Sequence, residues 1–476
     1  MRNSIRHHGW LSGTALGAAR AALALAAMLV PAFITTQSAQ AQTVTIIHSF
    51  DSSDGSLPYA GLVQATNGNL YGTTVEGGAN FQGTVFKITP SGTLTTLHSF
   101  AGYPADGTNP YAGLVQATNG NLYGTTIEGG SIGAGAIFKM TLNGALTILH
   151  NFDSTDGSSP YAGLIQASNG LFYGTTYEGG EFNGGTIFKI TTSGTLTTLD
   201  SFTGSGTEGD FPYGGLVQTA NGNLYGTTFN GGTNGQGTVF ETTASGTLNT
   251  LYDFDLTHGA SPYAPLVQAT NGTFYGTTGL GGSAGDGTVF KITASGTLTS
   301  LHSFVGTDGQ EPYAGLVQAT DGNLYGTTAE GGAHGYGTVF KITPSGKLTT
   351  LYSFAGYPDG ANPYGALVQD TNGNLYGTTA SGGANDFGTV FSLSVGLGPF
   401  VETLPASGKV GATVKILGTN LTGATAVAFN GTAAAFTVLS GSEITTTVPT
   451  GASTGFVTVT TSSGTLQSNR KFRVTP

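Results

Sequence analysis

The stretch from Pro58 to Phe100, PYAGLVQATNGNLYGTTVEGGANFQGTVFKITPSGTLTTLHSF, decides the fold because the chain repeats it. Its Pro-Tyr dipeptide recurs at intervals of 50–52 residues, beginning at Pro58, Pro110, Pro160, Pro212, Pro262, Pro312 and Pro363. Such a fixed period is the mark of a repeat architecture, in which each repeat forms one structural unit.

Each repeat predicts four short strands separated by glycine-containing turns. In the first copy the strands are Ala60–Ala65, Asn69–Thr74, Gly83–Thr89 and Thr93–Phe100. Asn-Gly and Ser-Gly turns join the first to the second strand and the third to the fourth, as in antiparallel hairpins. Four antiparallel strands every ~50 residues match a propeller blade. A β-solenoid would have a shorter period, and separate domains would need larger cores.

The two ends of the repeat region predict how it closes. The seventh copy stops after its third strand, whereas Thr43–Phe50, TVTIIHSF, matches the fourth-strand sequence TLTTLHSF. Pairing of these ends would complete the last blade and leave no open edge. The sequence therefore predicts an all-β fold, a seven-bladed β-propeller over residues 43–395 that is closed by the N-terminal strand.

Two family resemblances extend this prediction. The motif YGTT-x-x-GG…GTVFK, present with modest drift in each copy, resembles the Gloeobacter/Verrucomicrobia ("GloVer") tandem repeat of exported bacterial proteins. That resemblance implies export but no established activity. Residues 398–476, with Gly418-Thr419-Asn420-Leu421 and Phe429-Asn430-Gly431, are similar to the IPT/TIG group of immunoglobulin-like domains. A β-sandwich that serves as a spacer or interaction module is therefore expected after the propeller.

The N-terminus predicts export. Residues 1–41 combine basic Arg2, Arg6 and Arg20, a short apolar run and an Ala39-Gln40-Ala41 cleavage site, which is typical of a signal peptide. The alternative, a membrane anchor, needs a longer uninterrupted apolar run. Removal takes three of 14 basic residues and none of 25 acidic ones, which leaves a net charge of −14. Such a chain is unsuited to nucleic acid, and no membrane span is predicted in the mature protein.

Loop length divides the propeller into two unlike faces. The short turns share one face, and the connections between strands two and three and between blades share the other, here named the long-loop face. Of 23 acidic residues in the propeller, 18 fall in these long loops, and none of its six lysines does. Variable loops on a rigid scaffold are the usual place for binding, so the long-loop face is the expected binding surface.

Two sets of repeated carboxylates are candidate binding residues on this face. The first precedes Pro-Tyr in an Asp-Gly turn, and comprises Asp54, Asp106, Asp156, Asp308 and Asp359, with Glu208 and His258 in the other copies. The second is the glutamate of the xEGG loop, at Glu76, Glu128, Glu178 and Glu330. An Asx-type turn explains the aspartates without a ligand. Calcium is the alternative cofactor, although no D-x-D-x-D loop is present; otherwise no cofactor is predicted, and the metal site is unknown.

The Pro-Tyr tyrosines are a candidate aromatic ring at the start of the innermost strands, at Tyr59, Tyr111, Tyr161, Tyr213, Tyr263, Tyr313 and Tyr364. Packing between blades is the first interpretation, and stacking on a sugar is the second. The single tryptophan, Trp10, lies in the signal peptide and so supplies no sugar platform. His48, His98, His150 and His302 occupy equivalent outer-strand positions in different blades, too far apart for one metal site, and are interpreted as packed or exposed.

The function expected from the sequence is that of a non-catalytic exported binding or scaffold protein. Near-identical repeats offer copies of one environment, which suits multivalent binding better than catalysis. No catalytic residues are predicted, because no unique constellation is present and no G-x-S-x-G elbow occurs in a strand-turn-helix setting. Expected partners are carbohydrate or cell-surface protein, in an extracellular, cell-surface or periplasmic location. The alternatives are an extracellular polysaccharide-active enzyme with an accessory immunoglobulin-like domain, and a purely structural envelope protein.

Overall fold

The structure is a computed structural model that describes residues 42–204 and 207–476. The described chain is all-β, with many small antiparallel sheets and one 3-10 turn at Leu421–Gly423. The predicted signal peptide, residues 1–41, lies outside the described residues. Within the described ranges, we find no helix with the length and apolar character needed to cross a membrane.

The repeats form four-stranded antiparallel sheets in which neighbours along the chain are neighbours in the sheet. The first comprises Val63–Gln64, Leu70–Thr74, Thr84–Ile88 and Leu94–Ser99; the second Val115–Gln116, Leu122–Thr126, Ala136–Met140 and Leu146–Asn151; the third Ile165–Gln166, Phe172–Thr176, Thr186–Ile190 and Leu196–Ser201. The fourth comprises Val217–Gln218, Leu224–Thr228, Thr238–Thr242 and Leu248–Asp253; the fifth Val267–Gln268, Phe274–Thr278, Thr288–Ile292 and Leu298–Ser303; the sixth Val317–Gln318, Leu324–Thr328, Thr338–Ile342 and Leu348–Ser353.

The last repeat builds its sheet from both ends of the chain. Val368–Gln369, Leu375–Thr379 and Thr389–Ser394 supply three strands, and Thr43–Ser49 pairs antiparallel with Thr389–Ser394 as the fourth. Short two-stranded ladders in the long loops pair Gly107–Thr108 with Glu128–Gly129, Gly209–Asp210 with Asn230–Gly231, and Gly360–Ala361 with Ser381–Gly382.

Buried side chains lie between neighbouring sheets rather than within them. Each sheet shares an apolar cluster with the next, and one cluster joins Tyr376 of the last sheet to Leu70 and Phe86 of the first. Phe86 lies over Gly72 of the adjacent strand, where a Cβ atom would stand 2.5 Å from the phenylalanine ring. Glycine is therefore required there by close approach, not by turn geometry.

The innermost strand is shorter than predicted. In the first repeat only Val63–Gln64 pairs with its own sheet, although Ala60–Ala65 was expected to do so. Ala60 instead turns its carbonyl to the neighbouring sheet and accepts a 2.9 Å hydrogen bond from the Thr378 hydroxyl. A Cβ atom on Gly61 would lie 2.5 Å from the carbonyl oxygen of Ala366. The chain segments converge here, and inter-sheet contacts replace the ladder.

The C-terminal residues form two further four-stranded sheets. One orders Glu402–Leu404, Thr413–Leu417, Glu443–Thr447 and Phe436–Val438; the other orders Thr432–Ala434, Ala426–Phe429, Val457–Thr461 and Gly464–Gln467. Ser407–Lys409 and Arg473–Thr475 pair in parallel. Both sheets contribute to one buried cluster that includes Ile416, Val427, Phe429 and Phe472, as expected for sheets packed face to face.

Candidate functional site

The first set of candidate carboxylates is held by the outer strands. The carboxylates of Asp54, Asp106, Asp156 and Asp308 each lie 2.7–2.9 Å from Nε2 of a histidine, respectively His48, His98, His150 and His302. In the last repeat Tyr352 takes the histidine's place and donates to Asp359 at 2.8 Å. These histidines were expected to be packed or exposed, so their pairing was missed. The sequence signal that could have predicted the pairing is the spacing from histidine to aspartate, which is six residues in three of the pairs and eight in the fourth.

Backbone amides donate to the other oxygen, Oδ1, of the four histidine-paired carboxylates, whereas Asp359 accepts from the Ala355 amide on the same Oδ2 that Tyr352 bonds. Asp54 Oδ1 accepts from the amide of Asp51 at 3.0 Å, and Asp156 Oδ1 accepts from Asp153 at 3.1 Å. The Asx-type bonds come from the earlier aspartate, since Asp51 Oδ1 accepts from the amides of Ser53 and Asp54. Each Asp-Gly carboxylate therefore ties a long loop to its outer strand, and its acceptor capacity is largely used within the protein.

The xEGG glutamates differ, because only their backbone is engaged. Glu76 and Ser56 form a β-bridge, and the other three pair in the same way with the preceding loop. All four side chains are exposed. Their charge also affects the tyrosine ring. Burial is the main cause of the raised pKa of Tyr59, and the negative charge of the Glu76 carboxylate raises it further. These carboxylates are thus the ones free to meet a ligand.

The structure brings all seven Pro-Tyr tyrosines together in one closed ring. Each aromatic ring contacts the next with centroids 4.5–5.7 Å apart, and Tyr364 returns to Tyr59 at 4.8 Å. Three of the seven pairs are stacked and four are edge-on, and both are preferred geometries for aromatic contacts. A cavity of about 250 Å³ is lined by six of these side chains, Tyr59, Tyr111, Tyr213, Tyr263, Tyr313 and Tyr364.

The tyrosine hydroxyls stay protonated at physiological pH. Burial raises the pKa of Tyr111 and of Tyr364 to about 12, with the charges of neighbouring tyrosines adding to the effect. Burial also raises the pKa of Tyr213 and that of Tyr313, and the charge of Glu311 adds to the effect at Tyr313. The ring therefore offers neutral hydroxyl donors together with apolar ring faces.

Large exposed apolar side chains are concentrated on the long-loop face. In the described propeller they are Phe81, Tyr103, Ile132, Phe182, Leu256, Leu280, Val305, Tyr336, Tyr357 and Phe387, and every one lies in a connection between strands two and three or between repeats. Tyr357 is 71% exposed and Phe81 70%. Apolar groups gathered on one exposed face mark an interaction surface more often than scattered ones do.

The C-terminal domain covers the opposite face. The Ser442 hydroxyl donates to the carbonyl of Thr66 at 3.0 Å, and the Phe400 amide donates to that of Thr371 at 3.1 Å. Thr66 and Thr371 both lie at the short turns between first and second strands. The short-turn face is thereby occupied within the chain, whereas none of the described C-terminal residues 398–476 is seen to bond the long loops.

Beneath that domain the centre of the sheets encloses a cavity of about 480 Å³, lined by the tyrosine ring, by small residues such as Gly61 and Gly113, and by Glu402, Asn469 and Arg470. Burial raises the pKa of Glu402, and the positive charge of Arg470 partly offsets this. The lining therefore combines one carboxylate and one guanidinium with tyrosine side chains and small residues.

Calcium binding stays a prediction. Among the described residues, no group of three or more His, Asp or Glu side chains is arranged to hold a metal ion. The Asp-Gly aspartates are spread between different sheets, each beside its own histidine or tyrosine, and do not converge on one point.

Solved structures with a similar fold are distant in sequence. The extracellular domains of two B. thetaiotaomicron proteins assigned as hybrid two-component systems are 15% and 13% identical to this chain, both at a TM-score of 0.50. The matches cover 90% and 92% of this chain but 54% and 59% of those chains, so this chain spans little more than half their length. A fungal alcohol oxidase of the AA5 family, in complex with copper, is 14% identical at a TM-score of 0.51, covering 91% of this chain and 99% of its own.

At these identities the likeness establishes the fold alone, which is β-propeller-like. A comparison with curated protein sequences gives no match. The sequence pattern of the Gloeobacter/Verrucomicrobia repeat matches residues 32–240 and 213–448, most of the chain. The resemblance carried by the YGTT-x-x-GG…GTVFK motif is confirmed, and the chain belongs to the Gloeobacter/Verrucomicrobia repeat family.

Proposed function

We propose that this protein is an exported, non-catalytic binding or scaffold protein that contacts its ligand or partner through the long-loop face. The observation that carries the proposal is the position of the exposed apolar side chains. All ten found in the described propeller lie on this face, among most of its carboxylates, whereas the C-terminal domain occupies the other face. Apolar groups beside polar ones on a rigid scaffold are the usual composition of a recognition surface.

The architecture we propose for this scaffold is a seven-bladed β-propeller over residues 43–395, closed by the N-terminal strand, and an IPT/TIG immunoglobulin-like sandwich over residues 398–476. Support for closure comes from the pairing of Thr43–Ser49 with Thr389–Ser394 and from the cluster shared by Tyr376 and Phe86. Support for the sandwich comes from two four-stranded sheets around one core. A closed ring would hold all seven long-loop sets in fixed relative positions.

Extracellular carbohydrate or a cell-surface protein is the partner class that this face suits. The xEGG glutamates are exposed and offer carboxylate acceptors to a ligand, the tyrosine ring adds hydroxyl donors and apolar faces, and lysines are lacking in these loops. An acidic surface repels polyanions, so nucleic acid is not the expected partner. Export to an extracellular, cell-surface or periplasmic location is proposed from the sequence of residues 1–41.

The proposal is tested by binding and turnover measurements on the purified mature chain. A glycan array and a pull-down from intact cell surfaces would be performed with Tyr103→Ser/Tyr357→Ser, which removes two of the most exposed side chains of the face. The matched control is Val410→Ser/Leu439→Ser, which removes two exposed apolar groups from the C-terminal residues. We expect the first variant to lose binding and the control to keep it.

Three results would overturn the proposal. Equal binding by both variants would show that the long-loop face is not the contact surface. If the chain cleaves a polysaccharide and substitution of a single loop carboxylate abolishes that cleavage, the enzyme alternative is favoured. Absence of binding to every glycan and every cell-surface protein would favour a purely structural envelope role.

A further inference from the structure

Two positions flank the tyrosine ring in each repeat and vary although the scaffold around them does not. One follows the YGTT strand and is occupied by Val75, Ile127, Tyr177, Phe229, Gly279, Ala329 and Ala380 in successive copies. The other precedes Pro-Tyr and is occupied by Leu57, Asn109, Ser159, Phe211, Ser261, Glu311 and Asn362. Aromatic residues occur at these positions only in the third and fourth copies, which makes one sector of the ring different from the rest.

These three aromatic side chains join the tyrosine ring. Tyr177 lies 5.0 Å from Phe211 and 5.3 Å from Tyr161, measured between ring centroids. Phe229 lies 4.8 Å from Tyr263, and its amide donates to the Phe211 carbonyl at 3.0 Å. Together with Tyr213, which Tyr177 contacts at 5.9 Å, they extend the ring outward as one surface. We name this surface the aromatic sector: Tyr161, Tyr177, Phe211, Tyr213, Phe229 and Tyr263.

Polar acceptors border the aromatic sector. Glu178 follows Tyr177 directly, and its side chain is exposed. Asp210 precedes Phe211, and its buried Oδ1 atom has no hydrogen-bond partner among the described residues. Burial raises the pKa of Tyr177, and the charges of Glu178 and Asp210 raise it further, so both carboxylates lie near this ring. Glu178 is therefore the accessible acceptor at this edge, and Asp210 adds a buried acceptor that the described residues leave unpaired.

We propose that the aromatic sector is the specificity-determining subsite of the long-loop face and that it binds the pyranose rings of a neutral oligosaccharide. The three added side chains are partly exposed, so a ligand can reach their ring faces. The C–H groups of a sugar ring stack on such faces, and its hydroxyls donate to carboxylates at the edge. This inference rests on the binding function proposed above and adds to it a place on the ring and a ligand class.

A quaternary or primary ammonium ligand is the competing chemistry, since cations also bind aromatic faces. The geometry favours the sugar. Rings of the sector pack against each other, with Tyr161 stacked on Tyr213 at 4.7 Å and Tyr177 tilted on Phe211 at 5.0 Å. Tyr177 also lies edge-on to Tyr161 and to Tyr213, with centroids 5.3 and 5.9 Å apart. Rings at these contact distances leave no room for an ammonium group between them.

The test replaces the sector's added aromatics by the residues that the first or second copy carries at the same positions. Tyr177→Val, Phe211→Leu and Phe229→Ile introduce side chains that equivalent positions of this scaffold already accept, so the triple variant should fold. The matched control is Leu57→Ala/Val75→Ala, which shortens the same two positions outside the sector. Binding of cello-, malto-, manno- and chito-hexaose and of choline would be measured by calorimetry on the mature chain.

We expect at least one hexaose to bind the wild-type chain and the control, with affinity about tenfold or more lower for the triple variant. If the triple variant binds with unchanged affinity, the inference is overturned. If Tyr103→Ser/Tyr357→Ser nevertheless loses binding, the proposed binding function of the long-loop face still stands. Binding of choline but of no hexaose overturns the ligand class. Failure of every hexaose to bind also overturns the inference, and the cell-surface pull-down then decides the proposed function separately.

Discussion

Replacing Phe50 by alanine tests the closure of the propeller. Phe50 directly follows the N-terminal strand Thr43–Ser49 and is fully buried. Its ring lies edge-on to Phe86 of the first sheet at 5.3 Å and shares a cluster with Tyr376 of the last sheet. Phe100 makes the same contact to Phe138 at 5.5 Å one repeat later, within continuous chain. The two phenylalanines thus occupy equivalent positions that differ only in how the chain reaches them.

The expected loss follows from this burial. Truncating a fully buried phenylalanine to alanine costs about 3–5 kcal/mol in unfolding free energy, from lost transfer free energy and the cavity left behind. If the N-terminal strand is an integral part of the ring, Phe50→Ala and Phe100→Ala should cost the same within about 1 kcal/mol. A double-mutant cycle of Phe50 with Phe86 should give a coupling of about 0.5–1.5 kcal/mol for the edge-on contact.

Urea unfolding of the mature chain, followed by tyrosine fluorescence and by circular dichroism, measures these differences. The reasoning is refuted if Phe50→Ala costs less than about 1 kcal/mol while Phe100→Ala shows the full loss expected of a buried aromatic. That outcome would mean that the N-terminal strand adds little to the folded state, and that the ring does not depend on it for closure.

Three further predictions concern packing, pH and the two carboxylate sets. Gly72→Ala should destabilise the protein by about 1–3 kcal/mol, because its Cβ would overlap the facing phenylalanine ring, whereas Gly398→Ala, which has open space, should be neutral in the same urea titration. Thermal stability should fall as pH rises from about 10 towards about 12, because burial holds the pKa of Tyr111 above its value in the unfolded chain. Tyr111→Phe should reduce the dependence of melting temperature on pH in this range, and an unchanged dependence would contradict this assignment. Asp156→Asn should lower the unfolding free energy by about 1 kcal/mol and leave ligand affinity unchanged. Glu178→Gln should leave the unfolding free energy unchanged and weaken ligand binding about fivefold. If urea unfolding and calorimetry show the opposite pattern, the two carboxylate sets have exchanged roles.

The candidate carboxylates illustrate how far repeat position predicts a site. Asp156 and Glu178 both recur in the long loops, and the sequence places both on one face. Only the folded chain separates them, because the outer strand brings His150 to 2.7 Å from Asp156, while Glu178 stays exposed beside the tyrosine ring. Sequence position identifies the face, but the partner of each carboxylate depends on which outer-strand side chain the folded loop brings beside it.

What the sequence determined by itself is what repetition encodes. The period, the strand alternation and the Asn-Gly and Ser-Gly turns indicate an all-β repeat, because each depends on local backbone preference and on a pattern that every copy repeats. The family motif is likewise present in each copy and needs no three-dimensional information.

Contacts between copies follow from the folded chain and could not be predicted from any one repeat. The seven Pro-Tyr tyrosines are about 50 residues apart in sequence yet form one ring, and Tyr177 meets Phe211 across 34 positions. The shortened innermost strand and the occupation of the short-turn face by the C-terminal domain have the same origin. Such contacts arise where separate sheets converge on a common centre, and no local pattern in a single repeat specifies which neighbour it will meet there.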